Sequence, residues 1–265
     1  FLGVGGQGTF TDRPTITYTP LTGEKFLHSL ILPIPTTSVL YTLQSGYAAD
    51  FVLTWAVESL NGLHNRSSAL GAQRDADPMF AHALELLRDI QSNGGIDLGV
   101  EEGEGKQGTT VAIFRAENLA PSTIEKSAEL RALLRLPAKQ SRFRVITSPG
   151  PGPSDVLTIQ PRSLLQVMQA MSAFVEVPAE HLAQQWAAPG AETGVGGASG
   201  APMRIRQSPE EPVNPYAAVQ YQEHWFWIDQ SDWRSKRALV LAMLLFKLTN
   251  SGSSGGQPVL TIPIN

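Results

Sequence analysis

The sequence predicts an α+β fold, with a helical N-terminal part, a mixed strand and helix region behind it, and a buried C-terminal helix. Three observations carry this reading. Apolar residues recur at helical spacing through most of the stretch from Glu24 to Asn93, whereas strand-like β-branched runs alternate with helical ones from Ile96 onward. A final apolar helix follows a run of aromatic residues, HWFWID. Of the 265 residues, 42% are apolar and only 17% charged, against the roughly 25% charged of an ordinary globular chain. There is ample core material and a surface of uncharged polar groups. The helical part covers residues 1–95 and the α+β part 96–265, with 189–202 as a flexible loop. No linker near Asn93 is long enough to demand two separate domains, which leaves one continuous domain open.

The elements follow in order. Thr15 to Thr19 alternates β-branched residues and is a strand ended by Pro20 and Gly23. Glu24 to Leu32 places Phe26, Leu27, Leu30 and Ile31 on one helical face, and Pro33 stops it. A second helix, capped by Thr36 or Thr37, carries Val39, Leu40 and Leu43 to Gly46. A third runs from Asp50 to Leu60, with Asn61-Gly62 as its C-cap. Asp77 caps a fourth, Pro78 occupies its first position, and Phe80, Leu84, Leu87 and Ile90 form its inner face. Strands are expected at Ile96–Val100, Thr110–Arg115, Arg142–Thr147, Val156–Gln160 and Met203–Gln207. One long strand is expected at Tyr216–Ile228 and a last one at PVLTIPI. Helices are expected at Ser122–Leu136, Pro161–Phe174 and Ser231–Leu248. The Gly/Ala run PGAETGVGGASGAP is the flexible loop.

Charge and composition exclude several functions. The balance of 20 basic and 24 acidic residues gives a net charge of −4, the wrong sign for a nucleic-acid-binding domain, and the tightest basic group is only Arg234, Lys236 and Arg237. With no cysteine there is no disulfide, thiolate metal site or cysteine nucleophile in this stretch. The longest apolar run, Ala238 to Phe246, falls far short of the roughly 20 residues that cross a bilayer. An opening at Phe1 rather than Met points to a processed or truncated start.

No motif announces a chemistry. Gly3 to Gly8 matches G-x-G-x-x-G, but no strand precedes it and no helix follows, so it reads as a flexible glycine segment. The histidines His28, His64, His82, His181 and His224 form no H-x-x-x-H pair, and the acidic turn at Glu101, Glu102 and Glu104 lacks the spaced ligands of a calcium loop. G-x-S-x-G is absent. Neither a metal, a cofactor nor a catalytic residue is expected.

The stretch HWFWID reads as architecture. Strand alternation puts Tyr221, Glu223, Trp225 and Trp227 on one face and His224, Phe226 and Ile228 on the other. Both faces are apolar, so the strand is expected to lie centrally and to pack in a core or a subunit interface. An aromatic shelf for sugar or peptide is the alternative. Asp229 or Ser231 caps the next helix, Asp232 sits in its first turn, and Asp232–Lys236 has i,i+4 spacing. The helix is apolar all round from Ala238 to Phe246 and is expected to be deeply buried. The interface candidates are Trp225, Trp227, Asp229, Trp233, Lys236 and Arg237.

The segments DRPTITYTPLTGEKF, AVESLNGLHNRS and VQYQEHWFWIDQSDWRSKRALVLAMLLFKL, with the terminal PVLTIP, resemble a family of Gram-negative cell-envelope proteins of lipoprotein type, over nearly the whole chain. The resemblance implies export and a lipid anchor outside this stretch, at the periplasmic face of the outer membrane. It implies no activity and no catalytic residues. The expected function is therefore non-enzymatic binding or assembly, as a homo-oligomer or a subunit of a larger envelope complex. The alternative is a glycan-binding or hydrolytic enzyme using dispersed carboxylates (Glu58, Glu85 or Glu223) beside Trp225 and Trp227.

Overall fold

A computed structural model describes residues 16–18, 23–67, 74–101, 108–190, 202–251 and 260–262. The glycine run Gly3–Gly8, most of 189–202, and Glu102 and Glu104 of the acidic turn lie outside these. The fold is α+β as expected, with eight helices among the described residues. The helices are α1 (Gly23–Ile31), α2 (Thr36–Gln44), α3 (Ala49–Ala56), α4 (Pro78–Ser92), α5 (Pro121–Leu133), α6 (Leu164–Ser172), α7 (Ala179–Ala183) and α8 (Trp233–Ser251). The strands are β1 (Ile16–Tyr18), β2 (Val57–Leu60), β3 (Leu63–His64), β4 (Ile96–Glu101), β5 (Thr109–Phe114), β6 (Arg142–Thr147), β7 (Val156–Pro161), β8 (Arg206–Ser208), β9 (Ala217–Tyr221), β10 (His224–Ile228) and β11 (Leu260–Ile262).

The main sheet has six strands in the order β3-β2-β7-β6-β5-β4. Its inner face, with Ala112, Phe114, Phe143, Val145, Leu157 and Ile159, packs against α2, α3 and α4, and one apolar cluster runs without a break from Ile34 to Leu245. Both halves of the chain feed it. A void of about 10 Å³ lies among Leu40, Leu53, Leu87, Phe114 and Leu157. It is lined only by apolar side chains and is too small for an organic ligand.

Strands β6 and β7 run parallel, yet only residues 148–155 join them. Parallel neighbours usually need a crossover of a dozen residues or more. Here the proline-rich SPGPGPSD returns over the outer face. Ser59 Oγ donates to the Pro149 carbonyl (3.0 Å) and Thr158 Oγ1 to that of Gly150 (2.6 Å). Prolines suit this path because they bring no N–H to be satisfied. Gly62, at φ +86°, passes so close to Pro151 that a Cβ would meet its ring at 3.0 Å.

Several expected boundaries move. The third helix stops at Ala56, and Val57–Leu60 turns into β2 because pairing with β7 claims it. Neither Thr36 nor Thr37 caps α2: the residue before it is Pro35, which has no side-chain donor or acceptor. Asp77 holds the N-cap position of α4 with Pro78 behind it, as expected, but its carboxylate makes no capping bond and accepts the His64 N–H instead (2.7 Å). Pro161 belongs to β7, and α6 begins after a capping box between Ser163 and Gln166. The short α7 was not anticipated. The expected strand Tyr216–Ile228 is a hairpin, β9 and β10, turning at Gln222 and Glu223 with φ of 46° and 64°.

The C-terminal helix is buried through Ser235, Ala238, Leu241 and Leu245, packed on α6 and α2. The apolar residues Val240, Met243 and Phe246 of the same helix face outward. Its N-cap is Asp232, not Asp229 or Ser231: the Asp232 carboxylate accepts the Ser235 N–H (3.1 Å) and hydroxyl (2.6 Å).

Candidate functional site

A second, three-stranded sheet in the order β8-β10-β9 carries HWFWI as its middle strand; the central place is as expected, but Trp225, Phe226 and Trp227 are only half-buried. Trp225 and Trp227 share a face. The Arg206 guanidinium of β8 lies 5.3 Å from the Trp227 ring centroid and 3.9 Å from the Asp229 carboxylate. Asp229 closes a turn by accepting the Ser231 hydroxyl (2.7 Å) and N–H (2.8 Å). The Ser231 hydroxyl first, its N–H next, and Arg206 and Lys236 more weakly hold the Asp229 carboxyl below its ordinary value. Asp229 thus faces Arg206 of its own chain.

The remaining interface candidates sit at the start of α8. Trp233 is 57% exposed, and Arg237 stacks both on it (5.5 Å) and on Phe51 of α3 (4.5 Å). Lys236 lies 4.9 Å over Tyr216 instead of pairing with Asp232. The six residues therefore form three local groups, around Trp227, Trp233 and Tyr216.

The open edges of the six-stranded and three-stranded sheets are treated unequally. On β4, Gln44 Oε1 accepts the outward Val100 N–H (3.3 Å). On β8, Glu176 accepts the Gln207 N–H (3.2 Å), and Val175 bridges Ile205 beside it. β3 is only two residues long. β9 is different. Its five residues, AAVQY, contain no charge and no proline, four of the five are exposed, and among the described residues only β10 bonds to its backbone.

One cluster escapes any reading by spacing. Glu180 and His181 on α7 meet His224 at the start of β10, with their ligand-type atoms within 4.8 Å of one another. Glu180 Oε1 lies 2.8 Å from His224 Nε2. The His181 and His224 rings meet edge-on at 5.1 Å, and Trp186 flanks His181 at 5.4 Å. The other face of His224 is fixed by its Nδ1, 3.2 Å from the Gln222 carbonyl.

The three carboxylates named for acid–base chemistry stand on separate elements. Glu58 of β2 is engaged by Arg162 and Arg74, Glu85 is exposed on α4, and Glu223 is exposed in the β9–β10 turn. No helix among the described residues is long and apolar enough to cross a membrane. No family model, curated protein or solved structure matches the chain, so the envelope-family resemblance rests on the quoted segments.

Proposed function

We propose that the protein is a non-enzymatic component of the Gram-negative cell envelope that acts by assembly, and that β9 is the seam along which a second copy of the chain adds. The observation that carries this is the uncovered edge. Strand edges invite pairing, and proteins that do not use them blunt them with charge, proline, bulges or covering groups. The chain does so at β4 and β8 and leaves AAVQY bare. Antiparallel addition of β9 to its own copy about a two-fold axis would join two three-stranded sheets into one of six, a closed and self-complementary arrangement. Trp233 and Arg237, both exposed, remain available for further contacts. The location at the periplasmic face of the outer membrane, held by a lipid anchor, is supported by the HWFWID and SKR resemblance.

The test is native mass spectrometry of protein extracted from membranes in mild detergent, alongside Val219→Lys. Val219 is exposed at the centre of β9, so the lysine adds charge to the edge without entering the core. A homodimer that becomes monomeric in the variant, with unchanged circular dichroism, is expected. A wild-type monomer, or an assembly indifferent to Val219→Lys, including a hetero-complex, would overturn the proposal.

A further inference from the structure

We infer that Glu180, His181 and His224 form a binding site for a divalent transition ion, zinc being the best match to two imidazoles and one carboxylate. Three observations converge. The first is the donor set itself. Two histidines and a glutamate are a recurrent zinc combination, with bonds of about 2.0–2.2 Å that put ligand atoms roughly 3.4 Å apart around a tetrahedral ion. The three side chains already converge within 4.8 Å. Glu180 is the one with freedom to close the difference, since its side chain is 58% exposed.

The second is His181. It is buried, at 5% exposure, yet presents a ring nitrogen to the same cluster as Glu180 and His224. The ring packs between Trp186 and His224, where stacking alone would suit an apolar side chain as well.

The third is the way His224 is held. Its Nδ1 faces the Gln222 carbonyl at 3.2 Å, which places the ring proton on Nδ1 and leaves the Nε2 lone pair aimed at Glu180. Metal-bound histidines are generally oriented in this fashion by a carbonyl or carboxylate on the far nitrogen. That carbonyl belongs to a residue with φ of 46°, at the head of the tight turn that sets His224. Glu180 Oε1 and His224 Nε2, 2.8 Å apart, thus face each other where an ion would sit.

Three protein ligands leave a fourth position, on the side where Glu180 meets solvent. The site is thus of the open kind that keeps a water, distinct from the closed four-ligand sites that only hold a fold together.

The experiment is isothermal titration of Zn²⁺ into the whole chelator-treated chain, with Co²⁺ as a second probe whose visible bands report four-coordinate geometry. One ion per chain is expected, with tetrahedral cobalt bands. Glu180→Ala and His224→Gln should each weaken binding ~10-fold or more, since even residues outside the ligand set cost 10–100-fold. Glu180→Ala changes an exposed side chain and keeps the test meaningful if His224→Gln misfolds. Absence of a saturable single site in the wild type, or an affinity unchanged in Glu180→Ala, would overturn the assignment.

Discussion

Glu58 answers to two arginines, and the difference between them can be measured. Arg162, at the end of β7, has a side chain only 3% exposed; its Nε donates to Glu58 Oε2 (3.0 Å), and its terminal nitrogens donate to the carbonyls of Thr54, Trp55 and Arg66. Burial pushes its guanidinium down from the ordinary value and Glu58 opposes that, but an arginine does not lose its proton in a protein. Arg74 reaches the other oxygen of the same carboxylate (3.0 Å) from a side chain 47% exposed. Removing one partner of a buried pair costs about 3–5 kcal/mol, because the other charge stays behind uncompensated. Since Glu58 retains 14% exposure and three carbonyls still serve the guanidinium, Glu58→Ala belongs at the low end, about 3 kcal/mol. Arg74→Ala breaks an exposed contact and should cost ~1 kcal/mol or less. Urea unfolding followed by tryptophan fluorescence and by circular dichroism, with coincident transitions, is the assay. At a slope of about 2–3 kcal/mol per molar, the Glu58→Ala midpoint should fall by roughly 1 M. Arg162→Met placed on Glu58→Ala should recover part of the loss, since no stranded charge then remains. Equal midpoints for Glu58→Ala and Arg74→Ala would refute the reasoning.

Two further outcomes follow from the α8 start and from the exposed ion pairs. Asp232→Ala removes both bonds to Ser235 and should destabilise by about 1 kcal/mol in the same assay, whereas Asp229→Ala leaves the helix cap intact. The Asp89, Glu101 and Asp229 carboxyls are all held low, chiefly by the Lys126 ammonium, the Arg142 guanidinium and the Ser231 hydroxyl respectively. Each therefore contributes stability that is complete above its unfolded value near 4 and lost as pH falls through the lower folded value. The fall in urea midpoint between neutral and acid pH should accordingly be smaller in Asp229→Asn than in the wild type, and an identical fall would count against the assignment.

What the sequence makes legible is periodic, and what it hides is settled by partners distant along the chain. The α4 pattern Phe80, Leu84, Leu87 and Ile90 is buried in full because a long amphipathic helix needs only one apolar neighbour to satisfy it. Asp77 looks like a cap by position, but a carboxylate goes to the nearest unpaired donor, and the fold brings the His64 N–H to it. Val57–Leu60 continues an apolar helical face without Gly or Pro to mark a break; only β7, about a hundred residues later, converts it to a strand. The β9–β10 turn is hidden for a local reason. A two-residue hairpin turn with positive φ at both positions usually announces itself with Asn or Gly, whereas here Gln222 and Glu223 adopt it. That concealment has a chemical consequence. Read as one strand, the stretch sets His224 in mid-run with its ring on a core face; read as a hairpin, it sets His224 first in β10, under the Gln222 carbonyl and against α7. Helix α7 has five residues, too few to show a period, so no spacing rule links His181 to His224. The convergence of Glu180, His181 and His224 depends on both of these unmarked elements, which is why a search for ligand spacing passes over it.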